Sequence, residues 1–125
     1  MAPELDRTLM RLAESRWPRE ACGAVLRGRG GLVAVELSNV SSRPWREFEA
    51  DPGELARLLA HAGEGALVGL WHSHPGAPLD SAADRARSLG PDGAPLWPGV
   101  ARGVVALRDG LATAVRWSGR PPGGE

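Results

Sequence analysis

Seventeen glycines and eleven prolines punctuate a chain of 125 residues. Together they make up about 22% of it, just short of the roughly 25–30% that marks low complexity. Glycine costs helices and strands entropy, and proline cannot sit inside either without losing a hydrogen bond. The chain is therefore cut into short elements, and its fold must be built by packing many of them. Apolar residues at 42% and charged residues at 24% are ordinary for one globular domain of this length. Fifteen basic residues balance fifteen acidic ones, so no basic footprint for nucleic acid or a membrane surface is expected. No apolar run reaches 18 residues, the least a membrane helix needs. The single cysteine, Cys22, rules out an internal disulfide and suits a reducing compartment. Glu4 and Asp6 interrupt any signal-like apolar stretch at the start, and a cytoplasmic location is expected.

Between the punctuation marks the periodicity is readable. Leu5, Leu9, Leu12 and Ala13 recur at helical spacing and predict a helix over 3–16, ending before Pro18. Residues 20–26 and 32–37 read as strands joined through Gly28, Gly30 and Gly31. An extended piece is expected around 45–49. Asp51, Pro52 and Glu54 spell a helix start, with Leu55, Leu58 and Leu59 facing inward. Residues 66–71 are a short apolar run, read as a buried strand. Ser81 and Asp84 open a further helix. Strands at 103–107 and 111–117 flank Asp109 and Gly110, a strong hairpin signal. The order α-β-β-α-β-α-β-β predicts an α/β protein of α+β type, a mixed sheet flanked by helices in a single domain over 1–117. Residues 118–125 are expected to form a disordered Pro/Gly tail.

The chemistry concentrates where the buried strand runs into His72, Ser73, His74 and Pro75. In extended backbone, residues two apart point to the same side, so His72 and His74 can offer two imidazoles to one point. Asp84 lies ten residues on, at a helix start. Two histidines and a carboxylate leave an open position on a catalytic zinc ion. A lone His-x-His is a weak signal, and Ser-x-x-Asp also serves simply as a capping box. The same two-histidine, one-carboxylate set also occurs in non-haem iron oxygenases, although those sit on all-β barrels.

Taken together, these residues resemble the JAB/MPN (JAMM) zinc metalloprotease family, in particular its small prokaryotic members. Its signature is an upstream glutamate, His-x-His-Pro, a spacer, and Ser-x-x-Asp. Here these are Glu20, then His72, His74 and Pro75, then Ser81 and Asp84. Residues 20–28, with Glu20, Cys22, Gly23 and Gly28, look like the family's Glu-x-Cys-Gly-x-Leu-x-x-Gly first strand. Phe48, Asp51 and Pro52 look like the approach to its second helix. Residues 96–100, followed by Val104 and Val105, look like its penultimate strand. The spacer from Gly76 to Asp80 has five residues where the family usually has six, so Asp80 competes with Asp84 as a ligand and with Ser81 as a cap.

The resemblance implies one zinc ion per chain, held by His72, His74 and Asp84 with a water as fourth ligand. It implies that Glu20 activates the zinc-bound water and that Ser81 donates a hydrogen bond to the oxyanion. The implied reaction is (iso)peptide hydrolysis after the C-terminal Gly-Gly of a small ubiquitin-like modifier or sulfur-carrier protein, the expected partner. A catalytically inactive scaffold of the same family is the alternative. Cys22 shares strand parity with Glu20, so its thiol is expected either to face the site or to serve as a small buried residue. His61, near a helix end, reads as a cation favoured by the helix dipole rather than as a ligand.

Overall fold

The computed structural model describes residues 3–75, 99–119 and 121–122. The expected helix start at Ser81 and Asp84, and Asp80 with it, lie outside the described residues. Of the tail expected over 118–125, Ser118 instead ends β5 and Pro122 lies against Gly69, while residues 120 and 123–125 lie outside the described residues.

Helix α1 (Glu4–Arg16) is followed by strands β1 (Cys22–Gly28) and β2 (Gly31–Leu37), helix α2 (Pro52–Ala62), a single 3-10 turn (Glu64–Ala66), and strands β3 (Leu67–Pro75), β4 (Ala101–Arg108) and β5 (Leu111–Ser118). The five strands form one mixed sheet in the order β2-β1-β3-β4-β5. Three of its four pairings are antiparallel, and β3–β4 is parallel. A parallel pair needs a long crossover between its strands, which accounts for the 25 residues separating β3 from β4. The sheet is thus the expected mixed one with helices alongside it. No helix among the described residues is long and apolar enough to cross a membrane.

Helix α1 lies across one face of the sheet. Leu9 and Ala13 are fully buried against Ala21, Val25, Trp71, Val105 and Leu107, the odd-numbered positions of β1, β3 and β4 that share one face. Two polar contacts pin the helix to the edge strand β5. Glu14 Oε2 accepts from the backbone N–H of Ala112 at 2.8 Å, and Asp6 Oδ1 accepts from Trp117 Nε1 at 3.0 Å. At its other end Arg16 makes a two-armed ion pair with Glu36 of β2, at 2.6 and 3.0 Å. The hairpin at Asp109 and Gly110 forms as expected. Both residues have positive φ, 53° and 84°, the conformation a two-residue primed turn requires.

Two expectations are corrected. Residues 43–47 form a turn, with Arg46 and Glu47 donating to the Arg43 carbonyl, and the extended contact shrinks to a bridge between Asn39 and Ala50. The loop folds back at once because Pro44 is buried under it. Helix α2 starts as read, with Asp51 Oδ1 accepting from the N–H groups of Gly53 and Glu54 at 2.8 and 3.3 Å. Its leucines 55, 58 and 59 are only half-buried. An open groove of about 760 Å³ runs between α2 and the end of β2, so Leu58 lines a groove wall instead of meeting the sheet.

Trp117 lies flat over Gly103, where a Cβ would come within 2.7 Å of its ring. Gly103→Ala should therefore lower stability by about 1–3 kcal/mol, the cost of overpacking a filled core. A fall in the urea midpoint at unchanged slope is the expected reading, and Trp117→Leu in the same chain should recover part of it.

Candidate functional site

The register of β1 against β3 assembles the site. Cys22 stands opposite His72. One step along, the Ser73 N–H donates to the Ala21 carbonyl at 2.8 Å. The Ala21 N–H returns the bond to the Ser73 hydroxyl at 2.7 Å. Glu20 lies ahead of the last paired position of the ladder, and its carboxylate is close enough to the Cys22 thiol for its charge to act on it. Paired residues in an antiparallel ladder share a face, and residues two apart on a strand do too, so Cys22, His72 and His74 lie on the face opposite α1. In the sheet, β4 backs this row with Val104 beside His72 and Ala106 beside His74, both buried.

The site is largely sealed. Glu20 is 4% exposed and His72 5%, values rare for such side chains without a structural or chemical reason. Phe48, reaching over from the loop before α2, stacks on the His72 ring with centroids 4.2 Å apart and an interplanar angle of 17°. The His72 and His74 rings are 6.3 Å apart and roughly perpendicular, at 72°. His74 Nδ1 is buried and has no hydrogen-bond partner among the described residues. A buried imidazole nitrogen left so costs free energy unless something occupies it.

Glu20 sits just ahead of β1, so its backbone is held by the loop and not by the ladder. Its N–H donates to the Pro44 carbonyl at 2.6 Å, and its carbonyl accepts from Asn39 Nδ2 at 2.8 Å. The groove beside α2 reaches Glu20 past Leu37, Ser38, Glu54, Leu58 and His61. His61 itself is exposed on the last turn of α2, away from the paired histidines in sequence and on a different element.

Cys22 is buried behind His72, its thiol directed at the carbonyls of Leu37 and Ser38, at 3.6 and 4.0 Å. Burial, and after it the charges of Glu36, Glu54 and Glu20, push the thiol from 9.0 up to about 12. It is a protonated, packed thiol at neutral pH.

Among the described residues, no three of His, Cys, Asp and Glu cluster so as to hold a metal ion. The structure brings His72 and His74 to one face and sets the Glu20 carboxylate within electrostatic reach of Cys22 on it; Ser81 and Asp84 lie outside the described residues. Sequence reasoning missed Asn39 and Ser73. An Asn shortly after a strand signals a turn, but nothing local announces that its amide reaches back 19 residues. Ser73 read as the filler between two histidines.

The fold has relatives. The profile of prokaryotic homologs of the JAB domain matches residues 3–111, and the chain belongs to that family. Two solved structures share the fold. One is the solution structure of a protein from Desulfitobacterium hafniense, with a TM-score of 0.61 at 22% identity over 90% of this chain and 84% of that one. The other is the solution structure of a protein from Salinibacter ruber, with a TM-score of 0.59 at 24% identity over 98% of this chain and 82% of that one. Among curated proteins, none matches this chain.

Two measurements test this geometry. Ser73→Ala removes the buried acceptor of the Ala21 N–H and should cost about 1–3 kcal/mol, the penalty of an orphaned buried donor, in chemical denaturation. Cys22 should resist thiol reagents in the native protein at pH 8 and react once urea unfolds it. Its linkage has a definite sign. Below pH 9 both states keep the proton; between 9 and about 12 only the unfolded chain releases it. Stability should fall across that window, and Cys22→Ala should flatten the fall.

Proposed function

We propose that this JAB-family domain is a zinc-dependent (iso)peptidase acting after the C-terminal Gly-Gly of a small ubiquitin-like modifier or sulfur-carrier protein. The observation that carries the reading is the pairing of β1 with β3, which sets His72 and His74 on the same face as Cys22, with the buried Glu20 carboxylate within electrostatic reach of that row. The donor set fits zinc. Two imidazoles from alternate residues of one strand converge in edge-to-face geometry, and His74 Nδ1 is a buried nitrogen with no partner among the described residues. Zinc takes nitrogen and oxygen donors and keeps a position open in catalytic sites. His72 and His74 would hold the ion. The third ligand would be a carboxylate from the stretch after Pro75, Asp84 by the family signature, with Asp80 as the competitor.

When bound, zinc supplies Lewis acidity toward the scissile carbonyl and brings water to a nucleophilic state at neutral pH. The rest falls to the chain. The Glu20 carboxylate takes a proton from the attacking water and hands it to the leaving amine as the C–N bond breaks. Its low exposure keeps bulk water from competing for that proton. Phe48 fixes the plane of the His72 imidazole. Ser81 would donate a hydrogen bond to the oxygen that gains charge at the amide carbon. The groove beside α2, about 760 Å³ with Glu20 in its lining, would receive the extended Gly-Gly tail, whose lack of side chains lets it approach closely.

The test uses a ubiquitin-like carrier extended or conjugated beyond its Gly-Gly terminus, with cleavage read by mass spectrometry. A strong chelator should abolish cleavage, and zinc should restore it. Glu20→Gln should retain zinc and fold while turnover drops by about 10²–10⁴, the usual worth of a general base. Asp84→Ala should lose zinc and Asp80→Ala keep it. About one zinc per chain supports the peptidase; no bound metal would make the chain a scaffold, and iron in place of zinc would argue for oxygenase chemistry.

A further inference from the structure

Asn39 uses both ends of its carboxamide. Nδ2 donates to the Glu20 carbonyl at 2.8 Å and to the Glu47 carbonyl at 3.1 Å, with Pro44 O at 3.5 Å. Oδ1 accepts from the Ser41 and Glu49 N–H groups at 3.0 and 3.1 Å. Carbonyls face the nitrogen and N–H groups face the oxygen, so only an amide in this orientation satisfies all of them. The residue between Glu47 and Glu49 is Phe48, whose ring lies on His72. One side chain thus grips the backbone on both sides of Phe48 and the carbonyl of Glu20. Neither Glu20 nor Phe48 belongs to a strand, so the sheet does not place them.

We infer that Asn39 is a positioning residue: its amide sets the Glu20 carboxylate and the Phe48-clamped His72 imidazole in fixed relation to each other. The inference rests on the proposed peptidase reading for its kinetic consequence, but not for its structural one. Replacing the amide by a carboxylate keeps the shape and the Oδ1 acceptor while turning an oxygen toward the carbonyls of Glu20 and Glu47. The loop must then recoil, taking Phe48 off His72 and Glu20 out of line.

The experiment compares wild type and Asn39→Asp in the metal-free protein and in the zinc-loaded protein. In the metal-free protein, the single phenylalanine of the chain gives an unambiguous NMR signal. Its nuclear Overhauser contacts to the His72 ring, and the ring-current shift of the His72 carbon-bound protons, should be strong in wild type and lost in Asn39→Asp. In the zinc-loaded protein, kcat on an extended ubiquitin-like carrier should fall about 10–100-fold, the usual effect of removing a supporting hydrogen bond at such a site, with KM within about threefold. Phe48→Leu should reproduce the loss of the His72 shift while leaving Glu20 in place, and so should cost less in kcat. If Asn39→Asp does not fold, Asn39→Ser carries the same measurements without the added charge. Retained Phe48–His72 contacts overturn the inference, as does an unchanged kcat in the folded fraction; unfolding of both variants makes Asn39 a structural residue and overturns it too. If wild type cleaves no carrier, the peptidase reading fails by itself, and the NMR comparison still decides the role of Asn39.

Discussion

The reciprocal bond between Ala21 and Ser73 is the contact on which the arrangement turns. It extends the β1–β3 register past the formal end of β1, and register in a sheet is all-or-nothing. A slip by one residue would send His72 and His74 into the core and Trp71 out of it. The apolar row of Trp71, Val25 and Val105 under α1 opposes such a slip. Packing on one face therefore fixes the chemistry on the other. The buried serine hydroxyl does what a backbone carbonyl does elsewhere in the ladder, and it does so where the strand pair is about to separate.

The two faces divide the work. The α1 face is apolar and tightly filled, with glycines at 69 and 103 making room for the Trp117 indole. The opposite face carries Cys22, His72 and His74, with the buried Glu20 carboxylate near them. Small residues flank that row: Ala24 beyond Cys22, Ala106 beside His74. Low dielectric around Glu20 and His72 strengthens any charge interaction made there. It also explains why the Cys22 thiol, in the same row, stays protonated: burial penalises the thiolate, and three nearby carboxylates add to the penalty.

Much of this was legible in the sequence. The 3.6-residue spacing of Leu5, Leu9 and Ala13 and the Asp109–Gly110 turn are local signals, and local signals survive folding. The alternation of His72 and His74 was legible for the same reason, since strand geometry alone puts them on one side. The partnership of Glu20 with them came from likeness to a family, because 52 residues separate Glu20 from His72 and no local rule spans that distance. What could not be read was the loop over 38–50. Its form depends on where one asparagine amide finds its acceptors, and those acceptors belong to residues brought near only by the finished sheet. Helix α2 illustrates the same limit. Leu55, Leu58 and Leu59 mark a face, but not how deeply that face is covered.

The paired histidines sit on the central strand, His72 between β1 and β4 and His74 with β4 beside it. Edge strands and loops open by local fluctuation at small cost, whereas the middle of a sheet opens only when the whole domain does. The amide of His72 therefore belongs to the slow-exchanging part of the molecule, while Glu20 and Phe48 lie outside the strands, tied in through the Asn39 amide. The site joins one rigid half to one compliant half. Adaptation to a new substrate would be absorbed by the compliant half, leaving the imidazoles where the sheet holds them.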